Sequence, residues 1–297
     1  MRVFLTGGTG FVGSEILRQL LEAGHTVRCL VRRGSSNKVE AAKGMEIHRG
    51  DVTRPESLEG GLQGCDALIH LVGIIREYPG RGVTFKKMHV EATRNVLAAA
   101  RDQGIRRYVH MSANGTRAGA ESSYHRTKWR AEELVRDSQL DWTIFRPSVI
   151  FGKDSEFVKM LADLVRKLPV VPVIGDGEYR MAPVAVSDVA RAFVEALEAP
   201  EASGQAYPLC GPGVYSYNEI LELIGEALGK RKVCKIHQPV GLVKPVVGLL
   251  ENLSFFPLTK AQLTMLLEEN ICEDDSWRQA FAIEPKDFGK EIGKILR

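Results

Sequence analysis

The chain has 297 residues, of which 44% are hydrophobic and 26% charged, and its formal net charge is +3. The length exceeds what one nucleotide-binding α/β core needs, so a second lobe is expected. The small net charge gives no electrostatic reason for nucleic-acid binding, and no apolar run is long enough to span a bilayer.

Val3 to Leu5 reads as a short strand, and Phe11 to Ala23 as an amphipathic helix. That helix carries Ile16, Leu17, Leu20 and Leu21 on helical spacing, with Gly24 as its C′ residue. Between strand and helix, Gly8, Gly10 and Gly13 spell G-x-G-x-x-G, the placement that separates a dinucleotide fingerprint from an ordinary glycine-rich loop. Backbone without Cβ turns tightly and approaches a pyrophosphate closely, while the first N–H groups of the helix direct partial positive charge at it. Gly7, Gly8, Thr9, Gly10, Phe11, Val12 and Gly13 are therefore the expected phosphate-side contacts. Because strand and phosphate loop start with the first residues, no signal or transit peptide is expected, and the location is read as cytoplasmic. Cys29, Cys65, Cys210, Cys234 and Cys272 form an odd set without a C-x-x-C pair, read as buried, reduced thiols. The scattered histidines predict no metal centre.

A second strand, Thr26 to Val31, ends in Arg32-Arg33-Gly34-Ser35-Ser36, with no acid to accept from a ribose 2′-hydroxyl. Two guanidinium groups beside hydroxyls suit a 2′-phosphate, so NADP(H) is expected over NAD(H); solvated surface arginines are the competing reading. A third strand, Met45 to Arg49, leads to Asp51 and Val52. The Asp51 carboxylate is placed either to take the adenine amine or to cap the turn before Pro55. Strand four, Ala67 to Val72, places Leu71, Val72 and Gly73 beside the cofactor, with His70 as a packed core histidine. A helix over Thr84 to Gln103 precedes strand five, Arg107 to Met111, which runs into Ser112. This β-α-β-α order predicts a doubly wound parallel sheet of the Rossmann type, in the α/β class.

Tyr124 and Lys128 sit four residues apart at the front of a helix that runs through Leu134, so both side chains face one site. A nearby ammonium favours the phenolate, and such a phenol can exchange a proton with a hydroxyl or carbonyl while nicotinamide exchanges hydride. Ser112 is placed to bond the same oxygen.

Taken together, Thr6 to Gly13, Asp51-Val52, Ser112, Tyr124 to Lys128, Arg146 to Gly152 and Val186 to Ala190 resemble the short-chain dehydrogenase/reductase superfamily. The resemblance lies in its extended or atypical, epimerase/dehydratase-like branch, and covers essentially the whole chain. It implies a catalytic group of Ser112, Tyr124 and Lys128, with Lys128 also on the nicotinamide ribose and Pro147, Ser148 and Val149 lining the nicotinamide. The short interval from Ser112 to Tyr124, and Leu71-Val72-Gly73 in place of an Ala-Ala signature, argue against a sugar-nucleotide substrate. His110 to Asn114, Ser123 to Lys128 and Arg146 to Gly152 are similar to the accessory subunit of respiratory complex I and its bacterial relatives. There, NADPH looks like a bound structural or regulatory ligand, which competes with turnover and implies contact with a respiratory complex.

Residues 1–152 are thus expected to form the NADP-binding core, and 153–297 to complete it and form a smaller C-terminal substrate lobe. In the second half, helices are expected at Phe157 to Lys167 and from an N-cap at Ser187 to Glu198. Asp188, in the first turn of the latter, is read as structural. Ser216 to Glu219 is a capping box. Tyr179 to Val186, Ala206 to Cys210 and Lys232 to His237 read as extended, and Lys286 to Leu296 as an outer helix. Pro239 to Leu267, apolar and punctuated by Pro245 and Pro257, reads as helices over a substrate cavity. The sharper alternative is a contact surface for a greasy ligand, a membrane edge or a partner, and it points to a hydrophobic carbonyl or hydroxyl substrate.

Overall fold

The computed structural model describes residues 1–34, 42–251 and 258–297. Ser35, Ser36 and Pro257, named above, and the pair Phe255-Phe256 of the same apolar stretch lie outside the described residues. In chain order the first elements are β1 (Arg2–Thr6), α1 (Phe11–Glu22), β2 (Thr26–Val31), β3 (Met45–Arg49) and β4 (Ala67–His70). They are followed by α2 (Ala92–Asp102), β5 (Arg107–Met111), α3 (Ser123–Arg136), β6 (Asp141–Pro147), β7 (Ile150–Phe151), α4 (Glu156–Lys167) and β8 (Val171–Ile174). Then come β9 (Arg180–Met181), β10 (Val184–Ala185), α5 (Val186–Glu195), β11 (Gln205–Leu209), β12 (Tyr215–Ser216) and α6 (Tyr217–Ala227). The last elements are β13 (Lys235–Gln238), α7 (Val240–Leu250), α8 (Lys260–Leu267), α9 (Ser276–Ala280) and α10 (Phe288–Leu296).

The chain forms two compact units. One comprises Met1–Pro147, Val186–Leu209 and Asp274–Ile283; the other comprises Ser148–Ala185, Cys210–Glu273 and Glu284–Arg297.

The first unit holds a seven-stranded parallel sheet in the order β11-β6-β5-β4-β1-β2-β3. Strands buried on both faces read as continuous apolar runs, and all four residues of β4 are buried. Alternation along a strand sends neighbours to opposite faces. Ile144 joins Phe4, Leu68, Tyr108 and the Val96, Leu97 and Ala100 stripe of α2, whereas Phe145 meets Phe193 of α5 at 4.7 Å between ring centroids. The doubly wound, Rossmann-type sheet is thereby present as expected. Its order reverses between β1 and β4, where ligands enter such sheets.

Two local differences from expectation have clear causes. The helix expected from Thr84 instead opens with a π-helical stretch, Lys86–Glu91, before α2. Ser187 does not cap α5, because the helix already begins at Val186; its hydroxyl donates to Asp188.

In the second unit, α4 and α6 pack Val158, Leu161, Val165, Ile220, Leu221 and Ile224 around Val171 and Val173 of β8. Ser155 caps α4, and Ser216 with Glu219 forms the expected capping box. The extended run expected over Tyr179 to Val186 is divided into β9 and β10 at Ala182-Pro183, where proline cannot donate to a ladder. The last helix packs one face on this core and leaves the other outward, as expected: Phe288 and Ile292 of α10 are buried, and Lys290 and Lys294 are exposed. The expectation of reduced, buried cysteines is corrected in the same unit. Cys210 and Cys272 form a disulfide and Cys234 is exposed, while Cys29 is a buried free thiol. A separation of 62 residues concealed that pair. Among the described residues, no helix is long and apolar enough to cross a membrane.

Candidate functional site

The loop after β1 is shaped by two glycines. Gly7 has φ +82°, and a Cβ on Gly13 would lie 2.1 Å from the Gly7 carbonyl oxygen. Only glycine at 13 lets α1 close onto the strand end. Gly10 occupies the N-cap of α1 and supplies no side-chain cap, which leaves the first-turn N–H groups directed outward. Gly8, Thr9, Phe11 and Val12 complete the turn. This cradle fits a dinucleotide pyrophosphate, and a larger residue at position 13 would push its Gly7-Gly8 backbone out of place. Arg32 and Arg33 stand exposed just after β2, with no ion pair among the described residues.

Asp51 is engaged locally. Its Oδ1 accepts from the Thr53 backbone N–H and hydroxyl, both at 2.8 Å, closing a turn before Pro55. Val52 is a core residue whose carbonyl accepts from Asn95 of α2 at 2.9 Å. Leu71, Val72 and Gly73 follow the end of β4, and Leu71 and Val72 lie against Gly7. His70 is buried and bonded to Thr6 at 2.7 Å, a core histidine whose imidazole is pushed down to about 3, first by burial and then by Lys128.

Ser112 leaves the end of β5 buried, its N–H on the Phe145 carbonyl at 2.7 Å. Two residues on, the Asn114 N–H bonds the Pro147 carbonyl at 2.9 Å. The Ser112 hydroxyl reaches Thr116 at 3.4 Å, which in turn contacts His125 at 3.4 Å. Lys128, one helical turn beyond Tyr124, is 4% exposed and donates to the Met111 carbonyl at 2.9 Å, beside Ser112. Its ammonium also lies against Gly73, where a Cβ would be 3.0 Å away. Gly73, part of the departure from an Ala-Ala signature, leaves room for this ammonium. Burial pushes Lys128 down to about 8, opposed by Glu132.

Tyr124 corrects one expectation. Its ring stands edge-on to Phe85, His89 and His125 at centroid distances of 5.8, 5.3 and 5.1 Å. Burial pushes the phenol up to about 12, so the neighbouring lysine does not lower it in the free protein. Desolvation disfavours the charged form of both groups.

Two parts of the site, His89 and Glu132, were missed in the sequence. His89, buried on the π-helical stretch, contacts Thr127 at 2.9 Å and the backbone of Ile74. Its Nε2 lies 3.2 Å from the Ile74 nitrogen and 3.1 Å from the Ile74 carbonyl oxygen, so it accepts from the one or donates to the other according to its tautomer. Glu132, fully buried, takes a two-pronged bond from Arg146 at 2.9 and 2.6 Å and another from Arg136 at 3.0 Å. The spacing of Lys128, Glu132 and Arg136 at successive fours was the available signal. Ser148 and Val149 belong to the second unit, where Ser148 donates to the Asn270 carbonyl at 3.1 Å. Among the described residues no cluster of His, Cys, Asp or Glu could hold a metal ion.

A parallel sheet with a glycine fingerprint after β1 and a Tyr/Lys pair on α3, its lysine buried, defines a nucleotide-binding protein of the short-chain dehydrogenase/reductase type. Residues 3–210 match the profile of the NAD dependent epimerase/dehydratase family, and the chain belongs to that family, one of NAD(P)-binding oxidoreductases and epimerases. It is 26% identical over 259 residues to the mitochondrial NADH-ubiquinone oxidoreductase 40 kDa subunit of Neurospora crassa, covering 86% of this chain and 67% of that one. It is 30% identical over 249 residues to a 4-hydroxy-2-methyl-3-oxo-4-farnesyl-3,4-dihydroquinoline-1-oxide ketoreductase of Stigmatella aurantiaca, covering 77% and 74%. The fold matches UDP-glucose 4-epimerase of Thermotoga maritima with a TM-score of 0.79 at 19% identity, covering 100% of this chain and 97% of that one.

Proposed function

We propose that the protein is an NADP(H)-dependent oxidoreductase acting on a small hydrophobic carbonyl or hydroxyl compound, with Tyr124, Lys128 and Ser112 as its reacting group. The observation that carries this reading is Lys128, an ammonium kept almost wholly buried on the Met111 carbonyl, one turn from Tyr124. Burying a lysine there weakens the fold, and that is typical of a group retained for its chemistry. Gly7 to Gly13 hold the pyrophosphate, Arg32 and Arg33 the 2′-phosphate, and Lys128 and Pro147 to Val149 the nicotinamide end. When bound, the nicotinamide supplies or takes the hydride. Tyr124 donates its proton to the substrate oxygen, and Ser112 orients that oxygen. A phenol held near 12 donates to a developing alkoxide and does not ionise beforehand. The ketoreductase relative supports a greasy carbonyl substrate.

A second reading is favoured by the name of the 40 kDa subunit: a protein that holds NADPH without turnover at a respiratory complex. NADPH oxidation against a panel of ketones and quinones, in wild type and Tyr124→Phe, separates the two. A measurable rate that falls at least a hundredfold in the variant supports the enzyme. Tight NADPH retention with no turnover across the panel refutes it in favour of the binding subunit.

A further inference from the structure

Helix α2 is entered through the π-helical stretch Lys86–Glu91, and the Ala92 N–H bonds the Lys87 carbonyl five residues back. Such stretches are rare and recur at functional sites, because one extra residue in a turn re-aims the side chains beside it. Here the stretch carries His89, 1% exposed and without a role in the proposed reaction.

The imidazole joins two segments. Nδ1 meets the Thr127 hydroxyl of α3, next to Lys128, and Nε2 meets the Ile74 backbone in the loop after β4. The link holds in either neutral tautomer. With the proton on Nδ1, the ring donates to Thr127 and accepts the Ile74 N–H. With the proton on Nε2, it accepts from Thr127 and donates to the Ile74 carbonyl. Burial, and then Lys128, hold His89 well below its ordinary range, so the neutral ring is the one present. Phe85 stacks on that ring at 5.4 Å, and Tyr124 stands at right angles to it at 5.3 Å. A Cβ on Gly73 would meet the Lys128 ammonium at 3.0 Å and His89 Nε2 at 3.5 Å, so strut and ammonium converge on one point of the loop. A leucine would occupy this space without desolvating two nitrogens, and a polar ring kept there is placed for its bonds.

We propose that His89 is a positioning residue: it fixes the distance between the Gly73-Ile74 backbone, expected beside the nicotinamide, and the Tyr124/Lys128 pair, so that proton donor and hydride carrier address one substrate carbonyl. The catalytic consequence rests on the oxidoreductase reading above; the strut itself does not.

The test compares His89→Leu, which breaks both ends, with His89→Gln, whose amide reaches Ile74. Misplacing a reacting group by about 1 Å costs on the order of a hundredfold. For NADPH-dependent ketone reduction, kcat should therefore fall about a hundredfold in His89→Leu, with KM and NADPH affinity within about threefold, and recover to within about tenfold of wild type in His89→Gln. A second readout needs no turnover: acetylation of Lys128 by acetic anhydride in cofactor-free protein, followed by peptide mass spectrometry with exposed Lys167 as the internal reference. Lys128 should react about tenfold faster in His89→Leu and within about threefold of wild type in His89→Gln. A wild type that turns over while His89→Leu keeps its kcat within threefold overturns the positioning role and leaves the oxidoreductase reading standing. A wild type without turnover removes that reading, and acetylation then decides the strut. Equal acetylation rates in the three proteins overturn the strut whether or not the wild type turns over, and equal losses in both variants overturn the assigned bonds. If His89→Leu fails to fold, His89→Asn, which reaches Thr127 alone, takes its place in the comparison.

Discussion

Replacing Lys128 by methionine should make the free protein more stable at neutral pH, although the residue is central to the proposed chemistry. Lys128 is 4% exposed, and its ammonium is held near 8 against an ordinary 10.5. That difference corresponds to about 3 kcal/mol of unfavourable interaction in the charged form. Methionine keeps the stem and removes the charge, but it loses the bond to the Met111 carbonyl, which costs about 1 kcal/mol. The net gain at pH 7 is about 2 kcal/mol. Between pH 8 and 10.5 the unfolded lysine still holds its proton while the folded one has released it, so wild-type stability rises with pH relative to the variant. Above pH 10.5 the advantage of the variant disappears and reverses by about 1 kcal/mol. Urea unfolding of both proteins without cofactor, at pH 7, 9 and 11, measures the difference and cancels every other titrating group. A variant that is less stable at pH 7, by an amount that does not change with pH, would show that Lys128 is not held in a desolvated site.

Gly13→Ala places a methyl 2.1 Å from the Gly7 carbonyl oxygen, so NADPH retained through desalting should fall at least a hundredfold; retention within threefold of wild type counts against the cradle. The double variant Arg32→Ala/Arg33→Ala should weaken NADPH at least tenfold by calorimetry and leave NADH within twofold. Equal loss of both would mean that these arginines do not read a 2′-phosphate. Cys210→Ser opens a loop with a separation of 62 residues and should lower stability by up to about 4 kcal/mol; wild type treated with reductant should match it.

The parts of the fold that were legible in the sequence are those set by short-range chemistry. A strand followed by Gly8, Gly10 and Gly13 admits one backbone path, and runs such as Ala67 to Ile69 are apolar because both faces of a parallel sheet are covered. Tyr124 and Lys128 were placed by helical spacing alone. Their electrostatics were not legible, because burial depends on Phe85, His89 and Gly73, which come from distant segments. The partners of α10 were hidden for the same reason: its nine residues do not reveal that Phe288 will meet Phe151 edge-on. Asp51 shows the limit in the other direction, since two candidate uses were visible and the hydrogen bonds from Thr53 show the local one in place.

The interleaving of the two units has a consequence for biosynthesis. The nucleotide-binding unit begins at β1, yet it receives its seventh strand only at Gln205–Leu209 and its last segment only at Asp274–Ile283. Phe281, from that late segment, packs against Phe145 in the middle of the sheet. A nascent chain must therefore carry an incomplete sheet until β11 emerges, with the β6 edge awaiting it. Truncation before Asp274 would leave every proposed cofactor and catalytic residue intact and still register as a defect in nucleotide binding.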